Sequence, residues 1–238
     1  GPPGSGKTFT GAHMIVQLVD KGLKVGVAAN SHKVIGNLLD MVHTVATDLL
    51  AKGEITRPVR IGQKPKEGRE PTCGTAAKIR DNPKVRSLLE RDQVDVVGAT
   101  AWAWASGKVS GDGPIVDVLF IDEAGQMSLA NALAAAPAAR AIVLLGDPQQ
   151  LDQPTQGSHP PGAERSALGH ILRDRATIEP SEGLFLEQTW RLHPEICDYT
   201  STAFYAGRLG TIEGLDRQVV DGPPGHRLTG TGIRYIPV

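Results

Sequence analysis

A parallel sheet wound with crossover helices, an α/β fold, is what this 238-residue chain predicts, and three observations predict it. The first eight residues, Gly1-Pro2-Pro3-Gly4-Ser5-Gly6-Lys7-Thr8, fill the pattern G-x-x-x-x-G-K-[ST] with no mismatch. Short apolar runs then alternate with longer stretches of helical periodicity. Finally, two of the apolar runs stop at polar groups, Asp122-Glu123 and Gly146-Asp147, where parallel sheets bring their ligand-binding residues to one edge.

The opening motif carries its own chemistry. Through Gly1, Gly4, Ser5 and Gly6 the backbone can curl so that several N–H groups face one phosphate chain, an approach that a Cβ would obstruct. Lys7 adds a point charge for the β- and γ-phosphates, and the Thr8 hydroxyl suits Mg²⁺. A helix beginning near Lys7 would turn its positive end toward the anion. A plain Gly/Pro turn opening a helix is the bland alternative, and it does not require every fixed position to be filled. A loop of this kind normally follows a buried strand, so a chain starting at Gly1 looks like an internal piece of a longer protein.

Hydrophobic residues make up 40% of the chain, enough for one full α/β domain and part of a second. Aromatics are only 4%, so Ala, Val, Leu and Ile must build the core. The net charge of −1 gives no global signature of nucleic-acid binding, but residues 52–92 hold 11 Lys/Arg against 6 Asp/Glu. Cys73 and Cys197 stand far apart without metal-ligand spacing, which argues for a reducing compartment and against zinc or a disulfide framework. No apolar run reaches the roughly 18–20 residues that cross a bilayer, so no membrane partner is expected and a cytoplasmic location is the default.

Helices are expected over Phe9–Val19 and Val34–Leu50 with a buried strand at Leu23–Ala29 between them. Residues 52–92 are interrupted by Pro58, Pro65, Pro71 and Pro83; a short strand at Val59–Ile61 and a helix at Pro83–Arg91 are expected within an insertion projecting from the sheet. Val94–Gly98 reads as a strand, Gly107–Gly113 as an exposed loop, Ile115–Ile121 as a strand, Ser128–Ala139 as a helix and Ala141–Leu145 as a buried strand. A polar, Pro-rich loop over Gln149–Gly162 leads to a helix near Ser166–Arg173. Beyond a boundary at Glu179–Gly183 come a strand at Leu184–Leu186, a helix at Pro194–Ala206 and a last strand at Ile233–Pro237.

With the Ile115–Ile121 strand beside the phosphate loop, Asp122 could reach Mg²⁺, and Glu123 could polarise the attacking water as a general base. Adjacent acids at a strand end are usually solvated caps; a complete phosphate loop about 115 residues upstream changes that reading. Gln150 follows the next strand, and an amide there can donate to a γ-phosphate while accepting from a water.

Five motifs in order resemble superfamily 1 helicases of the Upf1-like group. They are residues 1–8, Ala28-Ala29-Asn30-Ser31, Asp122-Glu123-Ala124-Gly125-Gln126, Gly146-Asp147-Pro148-Gln149-Gln150-Leu151 and Gln188-Thr189-Trp190-Arg191-Leu192-His193-Pro194. The wording of Val97-Gly98-Ala99-Thr100-Ala101-Trp102 and Gln126-Met127-Ser128-Leu129-Ala130-Asn131 is similar to bacterial proteins in which a RecB-like nuclease precedes such a helicase. The resemblance implies a P-loop NTPase of RecA-like fold, with a first domain over 1–178, a small subdomain inserted at about 52–92, and a truncated second RecA-like domain over 179–238. It implies ATP and Mg²⁺ as cofactors and Asp122 on the metal. Catalysis falls to Lys7, Glu123, Gln150 as γ-phosphate sensor and Arg191, whose role needs a bidentate guanidinium. Trp190 would stack on adenine. Asn30, Ser31 and Thr100 would contact the backbone of single-stranded nucleic acid, DNA rather than RNA if a RecB-like nuclease is fused. The group's glutamine-bearing segment before the loop and its later motifs are absent from the sequence, so these residues alone are expected to bind nucleotide weakly and to unwind nothing. Two rivals stand: a P-loop switch that ignores nucleic acid, and a non-catalytic interaction module.

Overall fold

The computed structural model describes residues 1–150, 165–223 and 228–231. The chain divides into two compact units, one of Thr8–Ile171 and one of Gly1–Lys7 with Leu172–Val238. The sequence-based division at 178/179 places the first seven residues on the other side.

In the larger unit the elements follow the expected alternation. Helix α1 (Lys7–Asp20) buries Ala12, Ile15, Val16 and Val19 at helical spacing, and β1 (Val25–Ala28) is buried throughout. Helix α2 (His32–Ala51) is capped by Ser31, whose Oγ accepts from Val34 N at 3.2 Å. Its Ile35, Leu38, Leu39, Val42 and Leu49 join α1 and β1 in one aliphatic core. By length and composition α2 could cross a membrane, against the sequence expectation that no run is long enough; its buried stripe is what makes it so apolar.

β2 (Ile61–Gln63), β3 (Ala77–Lys78), β4 (Val96–Gly98), β5 (Val116–Ile121) and β6 (Ala139–Leu144) complete a six-stranded sheet of order β3-β2-β4-β1-β5-β6, with every pair parallel. The chain leaves β1 toward one edge, returns to β4 beside it, then fills the other edge, so the order reverses at β1. Ligands of such sheets sit at the carboxyl ends of the strands near that reversal.

Residues 52–92 do not project from the sheet as expected. They supply β2 and β3, followed by α3 (Asn82–Glu90), which Asp81 caps by accepting from Lys84 N at 2.8 Å. Part of their basic character is structural. The buried Asp95 carboxylate accepts from Arg57 Nη1 at 2.9 Å, Arg60 Nη2 at 2.7 Å, Arg60 Nε at 2.9 Å and Arg60 N at 2.8 Å, tying the segment to the start of β4. Burial pushes the Asp95 carboxyl up, but the bonds from Arg60 and Arg57 outweigh it and hold the group below its ordinary 3.8.

Two further corrections concern burial. The stretch Gly107–Gly113 is not wholly an exposed loop: a helical turn α5 (Gly107–Ser110) buries Val109 and Ser110, after the short helix α4 (Ala101–Trp104). The last strand of the larger unit, read as buried, lies at the edge of the described sheet with Arg140, Ala141 and Ile142 exposed. Helix α6 (Leu129–Ala135) precedes it, and α7 (Ala167–Leu172) follows.

The smaller unit pairs β7 (Gln188–Thr189) with β8 (Gly210–Thr211) in parallel, around α8 (Pro194–Phe204). Its core is Cys197, Tyr205 and Leu209, with Phe185 and Leu192 against them. Leu184–Leu186 is not a strand; the pairing begins two residues later. The expected strand at Ile233–Pro237 and most of the loop at Gln149–Gly162 lie outside the described residues.

Candidate nucleotide site

In the smaller unit the phosphate-binding loop docks on the Gln188–Pro194 motif. Trp190 N donates to Gly4 O at 2.9 Å, and Thr189 Oγ1 donates to Pro3 O at 3.0 Å while accepting from Arg191 N at 3.2 Å. Gly4 has φ +70°, and a Cβ there would stand 2.5 Å from Arg191 Cβ and 3.4 Å from Arg191 Nε. Glycine is therefore required twice, for the dihedral and for the approach. These bonds bring the Arg191 backbone to the loop, a juxtaposition of residues far apart in sequence. Thr189, to which the sequence assigns no role, makes one of the two bonds to the loop and also holds the Arg191 backbone.

Inside the loop, Ser5 Oγ donates to Pro2 O at 2.7 Å, and Lys7 Nζ donates to Gly1 O at 2.7 Å and Pro2 O at 3.0 Å. A phosphate chain would compete with those carbonyls for the ammonium. Beside Ser5 opens a cavity of about 600 Å³, lined also by Ile178, Pro180, Phe185, Gln188, Trp190 and Arg208. Its size suits a nucleoside-sized ligand. The Trp190 indole is 66% exposed, so it is a wall of the cavity and not a core residue. Arg208 lies 4.8 Å from the Phe185 ring centroid and is anchored by Glu187 and Thr177, both at 3.0 Å.

In the larger unit the ends of β5 and β6 are bound edge to edge. Leu145 N donates to Ile121 O at 2.9 Å, and Ala124 N to Leu145 O at 2.8 Å. A Cβ on Gly125 would overlap the Asp147 carbonyl oxygen, so the two turns touch backbone to backbone. This contact draws Asp122 and Glu123 together with Asp147 and Gln150. Asp122 is 5% exposed, and its Oδ1 accepts from Glu123 N at 2.9 Å. Glu123 itself is held at φ +53°, a left-handed backbone uncommon for a side chain of its size. Asp147, buried and marked in the sequence only as a strand end with no role of its own, accepts from Gln149 N at 3.0 Å and from Gln150 Nε2 at 3.4 Å, so it aims the Gln150 amide. Its position directly after an apolar strand, beside glycine, was the signal available. Thr8 lies in the first turn of α1. Among the described residues no cluster of three His, Cys, Asp or Glu is present. One buried carboxylate and one hydroxyl suit a cation that takes its other ligands from phosphates and water, as Mg²⁺ does.

Asn30, Ser31 and Thr100 stand on the same carboxyl edge, because β1 and β4 are parallel neighbours. Asn30 Nδ2 donates to Gln126 O at 2.9 Å, Ser31 caps α2, and Thr100 precedes α4 with no capping bond from its side chain.

Residues 1–163 match a family model described as AAA domain. The chain belongs to the AAA domain family. This AAA domain is 26% identical over 228 residues to the "DNA replication ATP-dependent helicase/nuclease JHS1" of Arabidopsis thaliana, covering 92% of this chain and 16% of that protein. It is 26% identical over 280 residues to "DNA-binding protein SMUBP-2" of Mus musculus, covering all of this chain and 28% of the relative. To the "Regulator of nonsense transcripts 1 homolog" of Drosophila melanogaster it is 25% identical over 233 residues, with 88% and 20% covered. It thus spans less than a third of the length of these relatives. Superfamily 1, Upf1-like membership agrees with them. Among solved structures the fold resembles an arterivirus nonstructural protein 10 helicase bound to DNA, with a TM-score of 0.54 at 14% identity, covering 89% of this chain and 40% of the other.

Proposed function

We propose that this AAA domain is the ATP-hydrolysing part of a helicase or translocase that moves along single-stranded nucleic acid, DNA in preference to RNA. The backbone contact between the β5 and β6 ends carries the reading, because it places a carboxylate pair and a carboxylate-aimed glutamine side by side at one sheet edge. The names of the relatives support it: a helicase/nuclease and a DNA-binding protein stand among them.

In this reading Lys7 neutralises the β- and γ-phosphates, and Thr8 with Asp122 would hold Mg²⁺, which would supply charge neutralisation at the phosphate oxygens. Glu123 takes the proton of the attacking water as its oxygen bonds to the γ-phosphorus and the bond to the ADP oxygen breaks. Gln150 distinguishes ATP from ADP through its amide. Arg191, tied to the loop by its neighbours' bonds, supplies a bidentate charge to the departing phosphate. Trp190 stacks on the base. Asn30, Ser31 and Thr100 hold the strand by its phosphates, without reading sequence. A RecB-like nuclease in the same protein would fit the DNA preference, and a cytoplasmic site of action would suit it.

Lys7→Ala in the full-length protein is expected to abolish ATP binding, measured by titration of a fluorescent ATP analogue. Affinity equal to wild type would remove Lys7 from its place. A nucleotide switch that ignores nucleic acid predicts an ATPase rate indifferent to an oligo-dT strand, whereas the motor predicts stimulation.

A further inference from the structure

We propose that Trp102, with Lys64 and Lys66, forms a base-stacking and phosphate-holding platform that extends the strand-binding edge from the ends of β1 and β4 to the end of β2. This rests on the reading of the edge as a single-strand track.

Trp102 is the most exposed large apolar side chain among the described residues, at 79%, in a chain with only three tryptophans. Leaving an indole in water forfeits apolar burial of about 2 kcal/mol or more, so its exposure needs a reason. The short helix α4 separates its two tryptophans by function. Trp104 is fully buried and its Nε1 donates to Val27 O at 3.1 Å, locking the turn to β1. Trp102, two positions earlier and two after Thr100, is left facing solvent. An anchored turn holding an exposed flat ring is the arrangement on which bases stack irrespective of sequence.

The charge comes from the neighbouring strand end. β2 pairs with β4 with Gln63 opposite Gly98, and Lys64 N donates to Gly98 O at 2.9 Å, so the chain after β2 emerges next to the chain that leads to Thr100 and Trp102. Across β4, Ala99 N donates to Val27 O at 3.0 Å, bringing the exit of β1 alongside. Gln63 Nε2 reaches His32 O at 3.4 Å, and Thr72 Oγ1 donates to the same carbonyl at 2.5 Å, fastening the β2 exit to the start of α2. Burial lowers the His32 imidazole from its ordinary 6.5, and the charges of Lys64 and Lys66 lower it further, in keeping with that fastening. Among the described residues Lys64 and Lys66 are paired with no carboxylate, and nearby Glu70 is taken up by Lys78 at 2.6 Å. Two cations without a carboxylate partner, at the strand end next to the one that leads to an exposed indole, are complementary to a single strand, which offers phosphates and unstacked bases together.

The test is fluorescence anisotropy of labelled oligo-dT and oligo-U on the full-length protein across a salt series. Trp102→Ala is expected to weaken binding of both strands about tenfold or more, with affinity recovered in Trp102→Phe and the thermal midpoint unchanged. Lys64→Ala/Lys66→Ala is expected to lower the slope of log affinity against log salt by about 1.4, two phosphates' worth for a single strand. Wild-type binding with ATPase stimulation, but no change in either variant, would overturn the platform while leaving the motor intact. Absence of binding by the wild type would overturn both.

Discussion

At the scale of single residues, the phosphate loop shows why its two inner glycines are not equivalent. Gly4 and Gly6 share a positive φ, +70° and +81°, but a Cβ on Gly6 meets nothing within 4 Å, whereas one on Gly4 would strike Arg191 at 2.5 Å. Gly6→Ala is therefore expected to cost only the dihedral penalty, about 1–2 kcal/mol. Gly4→Ala should cost more, because loop and Arg191 must also part, and urea unfolding of the two variants checks the order. Equal losses would mean that the Arg191 approach constrains nothing. The same scale explains Glu123. Its left-handed backbone is a local departure from preferred geometry of the kind that persists where function over-determines position. The sequence offered the residue but not the strain, since the glycine that marks the turn is Gly125, two residues beyond the left-handed position.

Among the elements, the sheet was legible wherever apolar runs were long. α1, β1, α2 and β5 fall within two or three residues of their expected limits, because their stripes and runs are set by burial. β2 was not legible as part of the sheet: the sequence places a short strand at Val59–Ile61 within an insertion projecting away, whereas the strand runs Ile61–Gln63, with Gln63 buried, and pairs with β4. Gln63 is tolerated inside because Thr72 Oγ1 accepts from its Nε2 at 2.8 Å and Cys73 N donates to its Oε1 at 3.0 Å. The cluster of Arg57, Arg60 and Asp95 was equally invisible, since its members lie up to 38 residues apart. It predicts that Asp95→Asn destabilises the fold by about 1–3 kcal/mol, because a neutral amide replaces the buried carboxylate that two half-exposed guanidinium groups share. The folded carboxyl lies below 3.8, so the unfolded chain takes up the proton first on acidification. This contribution is complete above that value and is lost as pH falls through the folded one. Urea midpoints between about pH 5 and 3 should therefore drop more steeply for wild type than for Asp95→Asn, and parallel curves would refute the linkage.

For the molecule as a whole, sequence spacing announced the pieces of a nucleotide engine, and the structure groups them in two sets. Gly4, Trp190 and Arg191 meet in the smaller unit, where Trp190 also lines a cavity, while Asp122, Glu123, Asp147 and Gln150 lie at and just beyond the ends of two adjacent strands in the larger. Motifs survive as sequence patterns because they carry chemistry; how Thr189 and Asp147 within them seat their neighbours shows itself only through hydrogen bonds. The central claim is that Glu123 activates water in an ATP-driven motor that moves along single-stranded nucleic acid. Single-turnover ATP hydrolysis by the full-length protein with oligo-dT present, wild type against Glu123→Gln, tests it most directly. The account predicts a fall of about 10²–10⁴-fold in the hydrolysis rate with ATP still bound; a Glu123→Gln variant that hydrolyses at the wild-type rate would contradict it.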